Sequence, residues 1–198
     1  MKTKHFSMLM SVVGIMCISV FAMCFIGAEK GQTQKVLMSA SWSYNYFDVE
    51  ELTKNSDLIA RVAIIDDGQC KKVNDIPMTY YTASVTTPIY GCTVNDTITI
   101  AMTGGIDDGI LREIADDPLM KKTDDFLIFC RKNVTGTYTI LSGSQGRMSI
   151  ENGLVSSLNV SNEQVRTHNT DSNISVQNVP LDEFLERIDT YIETNGMK

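Results

Sequence analysis

Apolar and polar residues alternate along the stretch 78–105, and this pattern predicts two long strands joined by a tight turn. In the first strand, odd-numbered positions carry apolar residues such as Tyr81, Ala83 and Val85. The even-numbered positions carry Tyr80, Thr82, Ser84 and Thr86. A period of two with β-branched and aromatic residues is typical of a sheet that packs one face on a core. Because an isolated hairpin is marginally stable in water, other segments must cover the apolar face.

Turn residues divide the rest of this region into strands. Asn95-Asp96 predicts the turn inside the hairpin, and Gly104-Gly105 is predicted to end its second strand. Further strands are predicted over residues 57–66, 125–132, 137–141, 147–150 and 154–158. Asn152-Gly153 joins the last two of them, and this dipeptide strongly favours a two-residue hairpin turn.

The segments between these strands differ in their polarity and capping signals. A short helix is predicted to begin after Asp48, because Glu51 three residues later completes a capping box. Residues 67–76 are predicted to be a loop. Residues 106–123 are predicted to be a long polar connection, with a short helical stretch at 110–115 that ends before a proline.

These elements together predict a mainly β domain over residues 48–158. Roughly six or seven strands with short hairpins favour a small β-barrel, closed or nearly closed, because closure removes exposed edge strands. A spacer over 29–47 precedes the barrel, and a polar linker over 159–179 follows it. Residues 180–194 form a predicted amphipathic helix. Its apolar face either packs on the barrel or docks a partner, and both alternatives are open.

Residues 1–28 are predicted to be a targeting segment that does not belong to the folded domain. Lys2 and Lys4 form a positively charged start, and residues 6–28 contain no charge. That apolar run is long for a signal peptide and close to the length of a membrane-spanning helix. The segment is therefore either an uncleaved hydrophobic helix that anchors the chain or a signal peptide that is removed. Both alternatives export the remaining residues.

Charge and cysteine content narrow the classes of partner. The net charge of −7 argues against nucleic acid, because phosphate binding requires clustered Lys and Arg side chains. The cysteines beyond residue 28 are Cys70, Cys92 and Cys130. Cys70 and Cys92 are candidates for a disulfide after export, since one follows a strand and the other follows the next hairpin arm. The alternative is that all three are free thiols.

The sequence contains few residues that could support catalysis or bind a metal. Both a nucleophilic triad and a zinc site would need His168, which lies in the polar linker. Paired aspartates lie at strand ends and in loops, where they favour turns. Weak candidates for a calcium site share one long loop, namely Asp107, Asp108, Asp116 and Asp117. The sequence has no phosphate-binding or cofactor motif, so we expect neither an enzyme nor a bound cofactor.

Strand and turn motifs resemble those of a group of exported, uncharacterised proteins of Gram-positive bacteria. The first strand reads SDLIARV at residues 56–62, and a later strand ends in Tyr90-Gly91. The strands TITI at 97–100 and FLIF at 126–129 follow. Those proteins are in turn similar to OB-type barrels of the netrin-like and tissue-inhibitor-of-metalloproteinase class. The resemblance covers about residues 48–158 and implies an OB-like barrel in an exported protein.

The inhibitory mechanism of that class does not carry over to this chain. It requires a cysteine at the mature N-terminus, and Glu29 or Lys30 would occupy that place here.

We therefore expect an exported binding or interaction module at the outer cell face, whose partner is an envelope or extracellular protein or a glycan. The expected surface is the face of Tyr80, Thr82, Ser84 and Thr86, with residues 106–123 beside it. Two alternatives are a plain solvated strand face and an inhibitor that acts on an extracellular protease through the barrel loops.

Overall fold

The computed structural model describes residues 34–158, 174 and 176–197 of the chain. The strands in these ranges are β1 (Gln34–Met38), β2 (Leu58–Ile64), β3 (Gln69–Val73), β4 (Ile76–Tyr90), β5 (Thr97–Asp107), β6 (Ile110–Ile114), β7 (Asp125–Lys132), β8 (Tyr138–Ile140), β9 (Arg147–Glu151), β10 (Leu154–Ser157) and β11 (Val179–Pro180). The helices are α1 (Val49–Lys54), α2 (Leu181–Thr194) and a 3₁₀ helix over Gly143–Gly146. The described part of the chain is therefore mainly β, as predicted.

Five of the strands form a closed barrel. β2, β4 and β5 pair antiparallel in succession, and β7 returns to pair antiparallel with β2 on its other side. This order, with the fourth strand beside the first, is a Greek key. β8 then pairs antiparallel with β7 and parallel with β5, where Tyr138 lies opposite Ile100. The barrel that the hairpin pattern predicts is confirmed.

The barrel interior is the main hydrophobic core. Residues of β4 alternate between buried and partly exposed along most of the strand, so that Tyr81, Ala83 and Val85 point inward. Ile100 of β5 and Ile128 of β7 face them across the interior. Burial of these side chains supplies the hydrophobic stabilisation that an isolated hairpin lacks.

A second core lies outside the barrel, between its wall and the two helices. Ile59 of β2 and Phe129 of β7 belong to this core, although their neighbours in sequence point into the barrel. Leu52 of α1 and the α2 residues Phe184 and Ile188 cover them. Strands that are buried on both faces lose the apolar–polar alternation, which explains the continuous apolar runs of β2 and β7. The apolar face of α2 therefore packs on the barrel, which was one of the two predicted alternatives.

Hydrogen bonds and an ion pair position the two helices. The Asp48 Oδ1 atom accepts a hydrogen bond from the Glu51 backbone N–H at 2.7 Å, which confirms the predicted N-cap. The Glu51 side chain bonds back to the N–H of Phe47, one residue before the cap. Arg187 of α2 donates two hydrogen bonds to the Glu50 carboxylate of α1, at 2.6 and 2.7 Å. These bonds connect the C-terminal helix to the helix that precedes the barrel.

Three segments that were predicted to be non-β contain strands. β1 lies in the predicted spacer 29–47, β3 in the predicted loop 67–76, and β6 replaces the predicted helical stretch at 110–115. β1 and β3 are almost entirely exposed, so they need no apolar alternation and carry no recognisable pattern. The turn before β6 is formed by Asp108 and Gly109, whose φ angles are 51° and 75°. Two-residue hairpin turns commonly require positive φ at both central residues, so this turn joins β5 and β6 as a hairpin.

Gly104-Gly105 was predicted to end the second strand of the hairpin, and this prediction is wrong. β5 continues through Gly104 and Gly105, at φ of 117° and 148°, and ends at Asp107. A Cβ atom on Gly105 would lie 2.3 Å from the Cys70 Sγ atom, so glycine is required there for close packing against β3.

Several predictions concern residues outside those that the structure describes. They include the leader 1–28, with its hydrophobic run 6–28, as well as residues 159–173 of the linker with His168. Among the described residues, no helix is long and apolar enough to cross a membrane. The end of the predicted linker is part of the fold, because Val176 is buried and Val179 pairs with Val155 of β10.

Substitution Phe184→Ala should destabilise the protein by about 3–5 kcal/mol, because it leaves a cavity in the second core. Phe184 is 1% exposed. The measurement is the free energy of unfolding in urea. Glu186→Ala on the exposed side of the same helix is the matched control, and we expect it to change stability by less than about 0.5 kcal/mol. Equal effects of both substitutions would mean that α2 does not cover the barrel.

Candidate functional site

Hydroxyl groups cover the outer face of the barrel where β4 and β5 pair. We call this surface the hydroxyl face, and it consists of Tyr80, Thr82, Ser84 and Thr86 of β4 with Thr97 and Thr99 of β5. Thr82 lies directly opposite Thr99, and Ser84 lies opposite Thr97. All six side chains are partly or fully exposed, because their neighbours in sequence point into the core. The strand alternation therefore brings the predicted binding residues together on one surface.

Tyr80 is the aromatic member of the hydroxyl face. Its neighbours across the sheet are Ala101 of β5 and Gln69 of β3. Tyr80 is partly exposed, and the Lys71 Nζ atom lies 6.0 Å from the ring centroid. A half-exposed tyrosine offers an apolar ring for stacking and a hydroxyl group for hydrogen bonding. Tyr80 therefore presents both an apolar ring and a hydroxyl group on the hydroxyl face.

Some groups of this face already have partners within the protein. The Thr86 hydroxyl donates to the backbone carbonyl of Arg61 at 3.1 Å, and the Thr82 N–H donates to Asp66 at 3.0 Å. Residues 106–123 were expected beside the face, but β6 pairs with residues 104–107 of β5, beyond Thr97 and Thr99. The strands that flank the hydroxyl face are β2 and β3 beside β4, and β8 beside β5.

The predicted calcium ligands do not converge. Asp107 and Asp108 lie at one end of β6, whereas Asp116 and Asp117 lie beyond its other end. Asp107 forms ion pairs at 2.8 Å with both Lys72 and Arg112, and Asp117 pairs with Arg147. Within the described ranges, no group of three or more His, Cys, Asp or Glu side chains could hold a metal ion. β6 lies between the two pairs of aspartates and keeps them apart.

The candidate disulfide between Cys70 and Cys92 is not formed, and the cysteines follow the other alternative. Cys70 lies on β3 opposite Thr79, whereas Cys92 follows Tyr90 at the other end of β4. A disulfide requires Cα atoms within about 7 Å, and a strand advances about 3.3 Å per residue. Cys70, Cys92 and Cys130 are all free thiols, and burial raises the pKa of both Cys92 and Cys130.

Sequence reasoning missed a buried ion pair at one end of the barrel. Arg147, the first residue of β9, is 1% exposed and lies opposite Ile128, which faces the barrel interior. Its Nη2 atom donates to Asp117 Oδ1 at 2.9 Å and to the carbonyl oxygen of Pro118 at 2.7 Å. The guanidinium carbon lies 5.0 Å from the ring centroid of Phe126. The hydropathy pattern contains no signal for an inward-pointing arginine.

The electrostatics of this pair follow from its burial. Burial raises the pKa of Asp117 to about 6, although Arg147 opposes the shift, and Asp116 and Glu113 add to it. Burial also lowers the pKa of Arg147, against the effect of Asp117. Glu113 accepts a hydrogen bond from the Leu119 N–H at 2.7 Å and pairs with Lys35 at 2.5 Å. We call Arg147, Asp117, Asp116 and Glu113 the barrel-end cluster. Because Arg147 and Asp117 are sequestered from solvent, we assign them a structural role.

Comparisons with protein families, curated proteins and solved structures gave no match. The hydroxyl face is therefore the candidate functional site on its geometry alone. It combines exposure, a single aromatic ring and a set of regularly spaced hydroxyl groups on a closed barrel wall.

Substitution Arg147→Met should destabilise the protein by about 3–5 kcal/mol, because it leaves the Asp117 carboxylate buried without its cation. The double variant Arg147→Met with Asp117→Leu should recover most of this loss, since an apolar pair fits the same interior. Urea unfolding of the single and double variants measures both effects.

The matched control for this experiment is Arg61→Met. Arg61 pairs with Asp125 at 2.6 Å on the partly exposed barrel wall. An exposed ion pair contributes about 1 kcal/mol or less, so the control should cost far less than Arg147→Met. Comparable losses from the two substitutions would contradict the burial argument.

Proposed function

We propose that the protein is an exported, membrane-tethered binding module, and that its OB-type barrel binds a glycan through the hydroxyl face at the outer side of the cell. The observation that carries the proposal is the set of partly exposed hydroxyl groups around Tyr80. β4 and β5 are the second and third strands of the five-stranded Greek-key barrel. In OB-type barrels that face is a common surface for oligosaccharides and oligonucleotides.

The composition of the hydroxyl face favours a glycan over other ligands. Protein interfaces usually have an apolar and aromatic centre, whereas Tyr80 is the only aromatic member of this face. Nucleic acid would require several cations for its phosphates, and Lys71 is the cation that contacts Tyr80. Sugars present hydroxyl groups to hydrogen-bonding side chains and apolar ring faces to aromatic rings. Threonine and serine hydroxyls beside Tyr80 match both features.

The export part of the proposal rests on the leader. Lys2 and Lys4 precede the uncharged run 6–28, an arrangement that keeps the N-terminus inside and moves the following residues outward. A barrel tethered by such a segment would present the hydroxyl face to the cell envelope.

Tyr80→Ala should weaken glycan binding by about tenfold or more, because the stacking contact of the ring is lost. The assay uses the full-length protein in detergent micelles, with a printed array of microbial glycans and soluble peptidoglycan fragments as probes. Thr99→Val, which removes one exposed hydroxyl group at nearly constant volume, should also reduce affinity. Phe47→Ala is the matched control, since Phe47 is an exposed aromatic residue next to α1.

Three other outcomes would contradict the glycan proposal. Equal binding by wild type and Tyr80→Ala would exclude the hydroxyl face as the site. Absence of binding to every probe, together with capture of one envelope protein, would support a protein partner instead. Slower turnover by a secreted protease in the presence of the protein would support the inhibitor alternative.

Deletion of residues 1–28 should keep the protein inside the cell, because both alternatives for the leader require this segment for export. The measurement is the accessibility of an epitope tag at the C-terminus to protease added outside intact cells. A full-length mass in the membrane fraction would identify an anchor, and a shortened mass in the medium would identify a cleaved signal. Export of the deleted chain would contradict the assignment.

A further inference from the structure

The hydroxyl face continues past Tyr80 onto an apolar surface of the β3–β4 hairpin. Residues that pair directly across an antiparallel ladder share one face of the sheet. On the outer face of this hairpin, the pairs are Gln69 with Tyr80, Lys71 with Met78, and Val73 with Ile76. Because a strand advances about 3.3 Å per residue, Ile76 lies roughly 13 Å along β4 from Tyr80. The hydroxyl groups and the apolar residues are therefore the two ends of one surface.

Three apolar residues form the far end of this surface. We call Val73, Ile76 and Met78 the apolar strip. Val73 and Ile76 are 45% and 51% exposed, and Met78 is partly exposed. Neither Val73 nor Ile76 belongs to either hydrophobic core. Single exposed apolar side chains are ordinary on protein surfaces, whereas a contiguous group next to a candidate binding face can bind an apolar part of the ligand.

Lys71 lies where the apolar strip meets the hydroxyl face. Its Nζ atom is 6.0 Å from the centroid of the Tyr80 ring, and among the described residues no carboxylate forms an ion pair with it. The next residue, Lys72, is on the opposite face and pairs with Asp107 at 2.8 Å. The hairpin therefore has one lysine with a balanced charge and one whose charge is available to an anion of the ligand.

The turn of this hairpin is polar. Asn74 and Asp75 form it, and both are exposed. Insertion of the hairpin into a bilayer, turn first, would bury the Asp75 carboxylate without a partner, at a large cost in free energy. A hydrocarbon chain that lies along the sheet contacts Val73 and Ile76 and leaves Asp75 in water. The apolar strip therefore suits the apolar part of one ligand better than it suits the interior of a membrane.

We propose that the ligand of the hydroxyl face is a glycan joined through a phosphate to a hydrocarbon chain. This inference rests on the proposed glycan-binding function and specifies the class of glycan. The hydroxyl groups and Tyr80 bind the sugars, the Lys71 ammonium group pairs with the phosphate, and the apolar strip covers the first part of the chain. The three kinds of contact follow one another along β4 in the order in which such a ligand carries its groups.

The position of Lys71 is the reason for choosing a phosphate. The anion must lie at the junction of sugar and chain, so it must stay charged while it is bonded to both. A phosphate diester keeps one negative charge, whereas a carboxylate loses its charge when it forms an ester. Charge complementarity at Lys71 therefore selects a phosphate-linked ligand over an acylated sugar.

The experiment measures the affinity of the full-length protein, kept in detergent micelles, for a matched series of probes by isothermal titration calorimetry. The probes are chitobiose, chitobiosyl phosphate, chitobiosyl decyl phosphate and decyl phosphate. In the wild type, we expect the phosphate to strengthen binding about fivefold and the decyl chain to strengthen it about tenfold more. The gain from the phosphate should shrink with added salt, because ions screen an exposed charge pair.

Matched substitutions test the two parts separately. Lys71→Gln should abolish the gain from the phosphate, whereas Lys72→Gln, which makes the same change in net charge on the opposite face, should leave it unchanged. Ile76→Thr should remove most of the gain from the decyl chain. Its control is Val134→Thr, because Val134 is an exposed β-branched residue in the turn between β7 and β8. The micelle is the same for every variant, so partition of the chain into detergent cancels in the comparison.

The possible failures of this inference and of the proposed function are distinguishable. If neither group strengthens binding, or if Lys71→Gln and Ile76→Thr retain both gains, the inference is overturned. Tyr80-dependent binding of chitobiose alone would still support the proposed function. Equal affinity for decyl phosphate and chitobiosyl decyl phosphate would overturn both, because the sugars would contribute nothing, and would indicate a membrane surface as the partner. Absence of binding to every probe in the series would overturn the inference.

Discussion

Closure of the barrel by β8 is the constraint on which the rest of the structure depends. This strand has three residues, and it joins β7 to β5 by pairing with both. Without it, β5 around Ile100 and β7 over residues 130–132 would lack a partner on this side, and the apolar side chains between them would be open to water. With it, the long β4–β5 hairpin becomes part of a continuous wall around a dry core. One short strand therefore converts a marginal hairpin into a stable domain.

Closure also divides the outer surface into two parts. The outer sides of β2 and β7 carry Ile59 and Phe129, and the helices cover them to form the second core. The outer sides of β4 and β5 carry hydroxyl groups, and neither helix of the described residues packs on them. The apolar outer surface of β2 and β7 is thus buried under the helices, and the polar outer surface lies on β4 and β5.

The barrel-end cluster reflects the same geometry. Arg147 of β9 reaches Met102 of β5, at 4.0 Å from its sulfur atom, and the Phe126 ring of β7. A long, charged side chain therefore bridges the two strands at a point beyond the short β8, and the β6–β7 connection supplies its counter-charge. Because the pair is withdrawn from water, burial raises the pKa of Asp117 and lowers the pKa of Arg147.

The sequence by itself determined the central hairpin, the strands β2, β7 and β9–β10, the capped helix α1 and the amphipathic helix α2. Each has a local signal, such as alternation, Asn152-Gly153 or the Asp48 cap, that requires no distant partner. The face shared by Tyr80, Thr82, Ser84 and Thr86 was also predictable, because strand parity alone places them together. Only the tertiary structure decided the strands β1, β3 and β6, the separation of Cys70 from Cys92, and the Asp117–Arg147 pair. The cysteine separation and the ion pair depend on contacts between residues distant in sequence, and such contacts leave no periodic pattern along the chain. β3 and β6 pair with adjacent strands through two-residue turns at Asn74-Asp75 and Asp108-Gly109, but their own residues show no clear alternation.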